Sequence, residues 1–387
     1  MGFDQDGCRV SAPGHGAASP RRRCGASAAA ALARWLMTAG VAIAAMPVAA
    51  ARPDAGAAPA CLAEPQRVRT AGQGAEDIVA LPMPGGGARL FLREDCRRES
   101  CATEGPRIAR IDIGADGRAL SAQTELAWRP DGAFEPRGLS LEADPARPGH
   151  GRLTLLDASP PAKVWRLSIV DGHIEPPVAP WHTEAGDGPL AQGNDLQAVG
   201  DVVHVTRFDF YGLFRPGRPG WAGLLRLQDG QATAQADGLR GANGIVAGQH
   251  AGELIVADYW GRRLLRIDAA TGATLGDATA ALPIHPDNLS IADGRLWIAG
   301  QPSAWRTGLH LFGLPVDAPS AVYVLPLALD ALGPAAQPML VWADDGTQAQ
   351  AVSVAVPVPG GLALGQIAAP DVLLLRCPGL MGAPFPP

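Results

Sequence analysis

The amino-acid sequence predicts an all-β protein assembled from repeated four-stranded units, the architecture of a β-propeller. Three observations predict it: a motif that recurs at blade-length intervals, short alternating apolar segments, and frequent Asp-Gly turns. The motif is a polar residue, then Asp, Gly or Asn, then Ile or Leu, and it occurs at Glu76-Asp77-Ile78, Arg137-Gly138-Leu139, Asn194-Asp195-Leu196, Asn243-Gly244-Ile245 and Asp287-Asn288-Leu289. The first residues of these motifs are separated by 61, 57, 49 and 44 positions, the length of a blade with insertions in some loops.

The predicted strands follow turns at regular intervals. Alternating apolar segments begin at Gly151, Gly252 and Gly294, with starting points 101 and 42 residues apart, and residues 201–205 occupy the place of the missing segment. Asp-Gly pairs, which favour tight hairpins, begin at Asp116, Asp131, Asp171, Asp187, Asp229, Asp237, Asp293 and Asp345. We expect no substantial helix, apart from a short turn over residues 327–332.

The N-terminal segment has the pattern of an export signal. Arg21-Arg22-Arg23 precede an Ala-rich apolar stretch over residues 28–50, and small residues surround a plausible cleavage point near Ala51. We therefore expect residues 1–51 to be a signal peptide with a long polar leader and residues 52–387 to be the propeller, in a periplasmic or secreted protein. A twin-arginine signal and an uncleaved membrane anchor are the alternatives.

The charge of the chain argues against nucleic acid as a partner. The formal net charge is -6 and the isoelectric point is about 5.8, and after residue 60 the adjacent basic residues are Arg97-Arg98 and Arg262-Arg263. A nucleic-acid interface needs a basic face that neutralises phosphates.

The cysteines fit an oxidising compartment. Cys8 and Cys24 fall in the leader, whereas Cys61 and Cys377 lie at the two ends of the predicted domain, where a bond between them would resist opening of a propeller ring. Zinc is the alternative use of four cysteines, but no C-x-x-C pair or paired histidine supports it.

A polar stretch from Arg93 to Gly105 carries the remaining two cysteines. Cys96 and Cys101 are close enough in sequence to close a small loop by a disulfide. We expect this stretch to be a loop that covers one face of the domain.

A radial arrangement of the repeats has a consequence for function. Each repeat sends one polar side chain to the same structural place, so these side chains converge on the central channel. Carboxylates and amide carbonyls are oxygen ligands of the kind that hard cations prefer. The sequence therefore predicts a metal site on the axis.

At these residues the chain resembles the serum paraoxonase and arylesterase family, a calcium-dependent branch of the group that contains gluconolactonases. The matching phrases lie, in the same order, around Glu76-Asp77, Asn194-Asp195, Asn243 and Asp287-Asn288, and Cys61 and Cys377 match the terminus-joining disulfide of that family. The resemblance covers roughly residues 61–378 and implies a six-bladed propeller with two calcium ions in its tunnel.

The resemblance also implies which residues hold the two ions. The catalytic ion would take Glu76, Asn194, Asn243, Asp287 and Asn288. The deeper, structural ion would take Asp77, Asp195 and the main-chain carbonyl of Leu139.

The chain departs from the family at the histidine pair that the family places beside the catalytic ion. Arg137 occupies the first position and the second falls near Ala158, so neither imidazole is present. Arginine stays protonated near neutral pH and cannot be a general base, but it can bind an anionic group or help to hold an oxyanion. His285 could replace the missing base, although a role in a loop is the simpler interpretation.

The expected function is calcium-dependent hydrolysis of a small lactone or ester, without a serine nucleophile. The missing histidine pair favours an alternative, a noncatalytic calcium-stabilised propeller that binds a small ligand or protein. A third possibility is another reaction, as in the strictosidine-synthase-like branch. Tyr259, Trp260 and Trp305 could line a substrate mouth, although packing between blades is the commoner use of such aromatics.

Overall fold

The fold is known from a computed structural model. It describes residues 61, 64–72, 74–95, 105–184, 188–208, 223–237, 239–279, 281–327 and 332–378. The predicted signal segment and the Cys96–Cys101 pair lie outside these residues.

The described chain forms six antiparallel sheets in sequence order. Strand β1 (Gln66–Arg69) comes first. Blade 1 contains β2 (Ile78–Pro82), β3 (Ala88–Glu94), β4 (Arg107–Ile113) and β5 (Glu125–Trp128). Blade 2 contains β6 (Pro136–Ala143), β7 (Gly151–Asp157), β8 (Lys163–Val170), β9 (His173–Glu175) and β10 (His182–Thr183). Blade 3 contains β11 (Gly193–Val199), β12 (Val202–Arg207), β13 (Gly223–Gln228) and β14 (Gln231–Asp237).

The remaining blades repeat the same order. Blade 4 contains β15 (Ala242–Ala247), β16 (Glu253–Asp258), β17 (Arg263–Asp268) and β18 (Thr274–Thr279). Blade 5 contains β19 (His285–Ala292), β20 (Arg295–Gln301), helix α1 (Ala304–Leu311), β21 (Ser320–Pro326) and β22 (Met339–Asp344). Blade 6 contains β23 (Val352–Val358), β24 (Gly361–Gln366) and β25 (Asp371–Arg376), and β1 pairs with β25 as its outer strand.

The six blades form a closed ring, which confirms the six-bladed propeller. The first strands of successive blades contact one another in the cycle β2, β6, β11, β15, β19, β23 and back to β2, so they surround the axis. Six clusters of buried apolar side chains lie one at each junction between neighbouring blades. Burial of this apolar surface holds the blades together.

The predicted turns and the predicted terminal link are present. Asp171, Asp229 and Asp293 have φ of 50°, 52° and 51° and each precedes a glycine with positive φ, the conformation of two-residue hairpin turns. A disulfide joins Cys61 to Cys377 across a sequence separation of 316 residues, as predicted.

Two local expectations were wrong. Arg93 and Glu94 end strand β3 and are buried instead of lying in a covering loop, because each charge has an oppositely charged partner. Helix α1 was not expected; Ser303 precedes it and accepts a hydrogen bond from the Arg306 amide, which stabilises its first turn. Among the described residues, no helix is long and apolar enough to cross a membrane.

A candidate metal centre in the central channel

Breaks in strand register place the motifs at the axis. The first strands of blades 2 to 5 shift register between Pro136 and Leu139, Gly193 and Leu196, Ala242 and Ile245, and Pro286 and Leu289. The two residues inside each shift are the first two residues of the motif. Such bulges free side chains from the regular alternation of a strand and re-aim them. We call the end of the channel where the first strands begin the motif end.

Motif residues of different blades contact one another in pairs at the motif end. Asn194 Nδ2 donates to Asn243 Oδ1 at 2.5 Å, between blades 3 and 4. Asn288 Nδ2 donates to the carbonyl oxygen of Glu76 at 2.8 Å, between blades 5 and 1, and Ser353 Oγ of blade 6 donates to the same oxygen at 2.7 Å. Residues as far apart in sequence as Glu76 and Ser353 are therefore neighbours here.

Two aspartates at the second motif position bridge successive blades. The Asp77 carboxylate accepts a hydrogen bond from the Leu139 amide at 2.6 Å, and the Asp195 carboxylate accepts one from the Ile245 amide at 2.9 Å and one from its own neighbour Leu196 at 2.7 Å. Both aspartates are buried. The contact of Leu139 with Asp77 is made by its N–H group; its carbonyl is the atom that the family resemblance assigns to an ion.

Burial and mutual repulsion make these carboxyls hard to ionise. The pKa of Asp77 is raised well above its ordinary value, first by burial and next by the charge of Asp195, with a smaller contribution from Asp287. Burial raises the pKa of Asp195 to about 7, against the lowering effects of its amide partners and of the Arg93 charge. A cation placed beside these carboxyls would favour their ionised forms.

One cation of the chain itself lies beside these acids. The Arg93 guanidinium forms a salt bridge with Glu76 through Nη2, and Nη1 donates to the carbonyl of Pro136 at 2.8 Å. No sequence motif indicates Arg93, because its partners Glu76 and Pro136 are distant from it in sequence. On the far side, Asp287 accepts a hydrogen bond from Gln301 at 2.8 Å.

A cavity of about 790 Å³ extends from the second-position aspartates toward the other end of the channel. Asp77, Leu139 and Asp195 line it, whereas none of the residues assigned to the catalytic ion does. Most of its wall is apolar, contributed by the later residues of the first strands, with Ser140 and Gln197 among the polar exceptions. The two predicted ligand sets are therefore separated along the axis.

The two candidate catalytic side chains have different surroundings. Arg137 forms a salt bridge with Glu135, two residues before it. His285 is half-buried, and its Nδ1 lies 3.1 Å from the carbonyl oxygen of Tyr259. Because a carbonyl can only accept, Nδ1 carries the proton in this contact and Nε2 keeps its lone pair. Burial lowers the pKa of His285 below its ordinary value, so the ring is neutral near pH 7.

Aromatic side chains surround His285. Its ring centroid lies 5.0 Å from that of Tyr259 and 5.8 Å from that of Trp260, and Trp260 stacks on Phe208 at 6.2 Å. Trp305, by contrast, lies on helix α1 and is more than half exposed.

The chemistry of the donor set at the motif end fits calcium. Two carboxylates and three neutral amides offer oxygen ligands around one end of the channel, and calcium binds six to eight such oxygens. Within the described ranges, no three His, Cys, Asp or Glu side chains form a metal-holding group. A metal ion at the motif end would therefore need amide oxygens as well as carboxylates.

The asparagines of the chain carry a signal that sequence reasoning missed. The 387 residues include three asparagines, Asn194, Asn243 and Asn288, and all three lie in the motifs. In a chain so poor in this residue type, their placement at equivalent positions of three blades singles out the channel.

Comparisons with known proteins find similar solved structures but assign no family. No protein-family model and no curated protein matches the chain. Similar solved structures include regucalcin of Agrobacterium tumefaciens, a calcium-binding protein, with 13% identity over 80% of this chain and 96% of that chain and a TM-score of 0.43. A gluconolactonase of Xanthomonas campestris has 16% identity over 81% and 99%, with a TM-score of 0.40.

A nidogen–laminin complex is also similar, with 13% identity over 69% of this chain and 82% of that chain and a TM-score of 0.41. At such identities and TM-scores, the similarity assigns neither a family nor an activity to this chain.

Proposed function

We propose that the motif end of the channel binds calcium through Glu76, Asn194, Asn243, Asp287 and Asn288, and that the protein hydrolyses a small lactone or ester there. The observation that carries the proposal is the contact of motif residues across blades: the Asn194 side chain bonds that of Asn243, and the Asn288 side chain bonds the main-chain carbonyl of Glu76. Buried carboxylates with raised pKa values in the next layer add to the demand for a cation.

A bound calcium ion supplies an electrophile that polarises a carbonyl group and stabilises the oxyanion formed when water attacks it. The chain's own residues orient the substrate and move the proton. His285 is the candidate base, because its Nδ1 proton is held by the Tyr259 carbonyl while Nε2 remains able to accept a proton from water. The rings of Tyr259 and Trp260 restrain the imidazole.

Arg137 is the candidate group for an anionic part of the substrate or for the oxyanion. Its guanidinium has five N–H donors, and its contact with Glu135 uses Nη2. Its Nε is buried and has no hydrogen-bond partner among the described residues, so donor capacity remains.

The second candidate function is a calcium-stabilised binding module. The observation that favours it is the absence of the histidine pair of the paraoxonase family, since Arg137 and the buried Ala158 occupy those positions.

Turnover of a panel of aromatic esters and lactones by the purified chain, with and without a calcium chelator, tests the proposal. We expect chelator-sensitive hydrolysis. We expect Asn243→Ala to weaken calcium binding by at least the roughly 10- to 100-fold that loss of an outer-shell partner costs, and to reduce turnover accordingly. Gln348→Ala, which removes an exposed amide outside the motifs, is the matched control and should behave like the wild type.

Two results separate the alternatives. Calcium-dependent stability without turnover on any member of the panel would support the binding module. Turnover that persists in the chelator and in the Asn243→Ala variant would contradict a calcium-dependent reaction at this site.

A further inference from the structure

Arg93 is a buried cation at the motif end of the channel. Its side chain is 2% exposed and extends from β3 of blade 1 to the start of β6 in blade 2. Its guanidinium bonds the Glu76 carboxylate and the Pro136 carbonyl, and its own amide donates to the carbonyl of Asp77 at 3.1 Å.

The other arginine of the same strand has a different task. Arg89 lies at the opposite end of β3, where it pairs with the partly exposed Asp112 and donates to the carbonyl of Gly172 at 2.6 Å. Arg93, in contrast, sits among the acids of the channel and lowers the pKa of Asp195 by its charge. One strand therefore carries a structural arginine and an arginine placed in the candidate metal centre.

We propose that the Arg93 guanidinium takes the place of a second divalent ion, so that the channel holds one calcium ion. This inference rests on the proposed function, because it presupposes a calcium site at the motif end. It differs from the two-ion arrangement that the family resemblance implies.

The count of charges supports one ion. Four buried carboxylates, Glu76, Asp77, Asp195 and Asp287, lie in this part of the channel, and two divalent ions alone would neutralise them. With Arg93 also present, two such ions would leave a net positive channel in which two dications and a guanidinium repel one another at low dielectric. One ion and Arg93 together carry three positive charges, so the site has one negative charge when all four carboxyl groups are ionised and none when one of them is protonated.

Hydrogen bonds supply a second argument. The family resemblance gives the deeper ion to Asp77 and Asp195, and in this chain both carboxylates accept amide N–H groups of the following blade. These bonds join blade 1 to blade 2 and blade 3 to blade 4. A structural ion would hold the blades together, and these hydrogen bonds to backbone amides already do so.

Titration of the full chain with calcium chloride in a calorimeter, after removal of bound metal by a chelator, tests the inference through the number of ions bound. We expect one ion per wild-type chain. We expect two per chain in Arg93→Gln, which keeps a hydrogen-bond donor toward Glu76 but lacks the charge, and one in Arg93→Lys, which keeps the charge. Arg89→Met, at the other end of the strand, should keep one.

The possible results have separate meanings. Two ions in the wild type, or one ion in folded Arg93→Gln protein, would overturn the role of Arg93 and leave the proposed calcium site standing. No calcium bound by the wild type would overturn the proposed function, and this inference with it. If Arg93→Gln does not fold without metal, titration during refolding in calcium provides the same ratio, and a value of one again overturns the inference.

Discussion

At the scale of single residues, the second motif position alternates between residues that bond to another blade and glycines that make room for them. Asp77, Asp195 and Asn288 have side chains in the channel, whereas Gly138 and Gly244 stand between them in blade order. A Cβ atom on Gly244 would lie 2.5 Å from the Asp287 carbonyl oxygen and 2.6 Å from the Asn288 Cα atom. Both are backbone atoms, so a side-chain movement cannot relieve the clash.

Gly244→Ala is accordingly expected to destabilise the protein by about 1 to 3 kcal/mol, the usual cost of overpacking, and to weaken calcium binding by displacing Asp287. Chemical denaturation measures the first effect and calcium titration the second. Gly308→Ala is the control, because no atom lies within 4 Å of its added Cβ and alanine favours helix α1 by about 0.5 to 1 kcal/mol. Equal stability of the two variants would show that the close approach is not tight in solution.

His204 provides a prediction on pH. Burial lowers the pKa of this ring on β12 to about 4, although the hydrogen bond from its Nδ1 to the side-chain oxygen of Gln235 acts in the other direction. Below the unfolded pKa of about 6.5 the unfolded chain binds a proton that the folded chain does not, so stability falls as the pH drops from about 6.5 toward 4. The loss between pH 7.5 and pH 5 should be about 2 kcal/mol larger in the wild type than in His204→Gln. Parallel pH profiles of unfolding free energy would refute this assignment.

At the scale of elements, the second strand of every blade ends in a buried polar residue at the motif end. These residues are Glu94, Asp157, Arg207, Asp258, Gln301 and Gln366. Two of them hold first strands: Asp157 accepts the amide of Glu135, which precedes β6 of the same blade, at 3.0 Å. Gln301 donates to Asp287 in β19 of its own blade and to the carbonyl of Val352 in the next blade. In these blades, the second strand therefore stabilises the bulged first strand through side-chain hydrogen bonds.

The pair of Glu94 and Arg107 tests this support in blade 1. Arg107 Nε donates to the fully buried Glu94 carboxylate at 2.7 Å, so Arg107→Met would leave a buried charge without its cation, at a cost of about 3 to 5 kcal/mol. Arg110→Met on the same strand breaks an exposed pair with Glu125 and should cost about 1 kcal/mol or less. Denaturant midpoints measure both, and similar losses would contradict the distinction.

At the scale of the whole molecule, the two ends of the described chain meet in blade 6, where β1 pairs with β25 and closes the ring. Four residue pairs from Gln66 to Arg69 form this ladder, and Arg67 also forms a salt bridge with Asp371. The disulfide between Cys61 and Cys377 adds a covalent link at the same junction. Closure matters for the channel, because Glu76 meets Ser353 across this boundary.

Removal of the link by Cys61→Ala together with Cys377→Ala should cost about 3 to 5 kcal/mol of stability, since the bond closes a loop of several hundred residues. Thermal unfolding in calcium-free buffer measures the loss, and reduction of the wild type should reproduce it. An unchanged unfolding midpoint in the double variant would indicate that strand pairing alone holds the ring.

Most of the architecture could be predicted from the sequence, and much less of the site. Hairpin glycines, apolar alternation and motif spacing are local signals, so the blades and their order follow from them. Arg93 was missed because its position in a strand depends on partners that are distant in sequence, such as the Pro136 carbonyl. Helix α1, with eight residues, is too short for its apolar periodicity to stand out.

The sequence by itself determined that repeated β units would carry one polar residue each to an equivalent place, and that two terminal cysteines could close the ring. Only the tertiary structure decided which partners the charged groups among those residues pair with. Which carboxylate faces an amide and which faces Arg93 depends on the packing of neighbouring blades, because electrostatic pairing acts through distance in space and leaves no periodic trace along the chain.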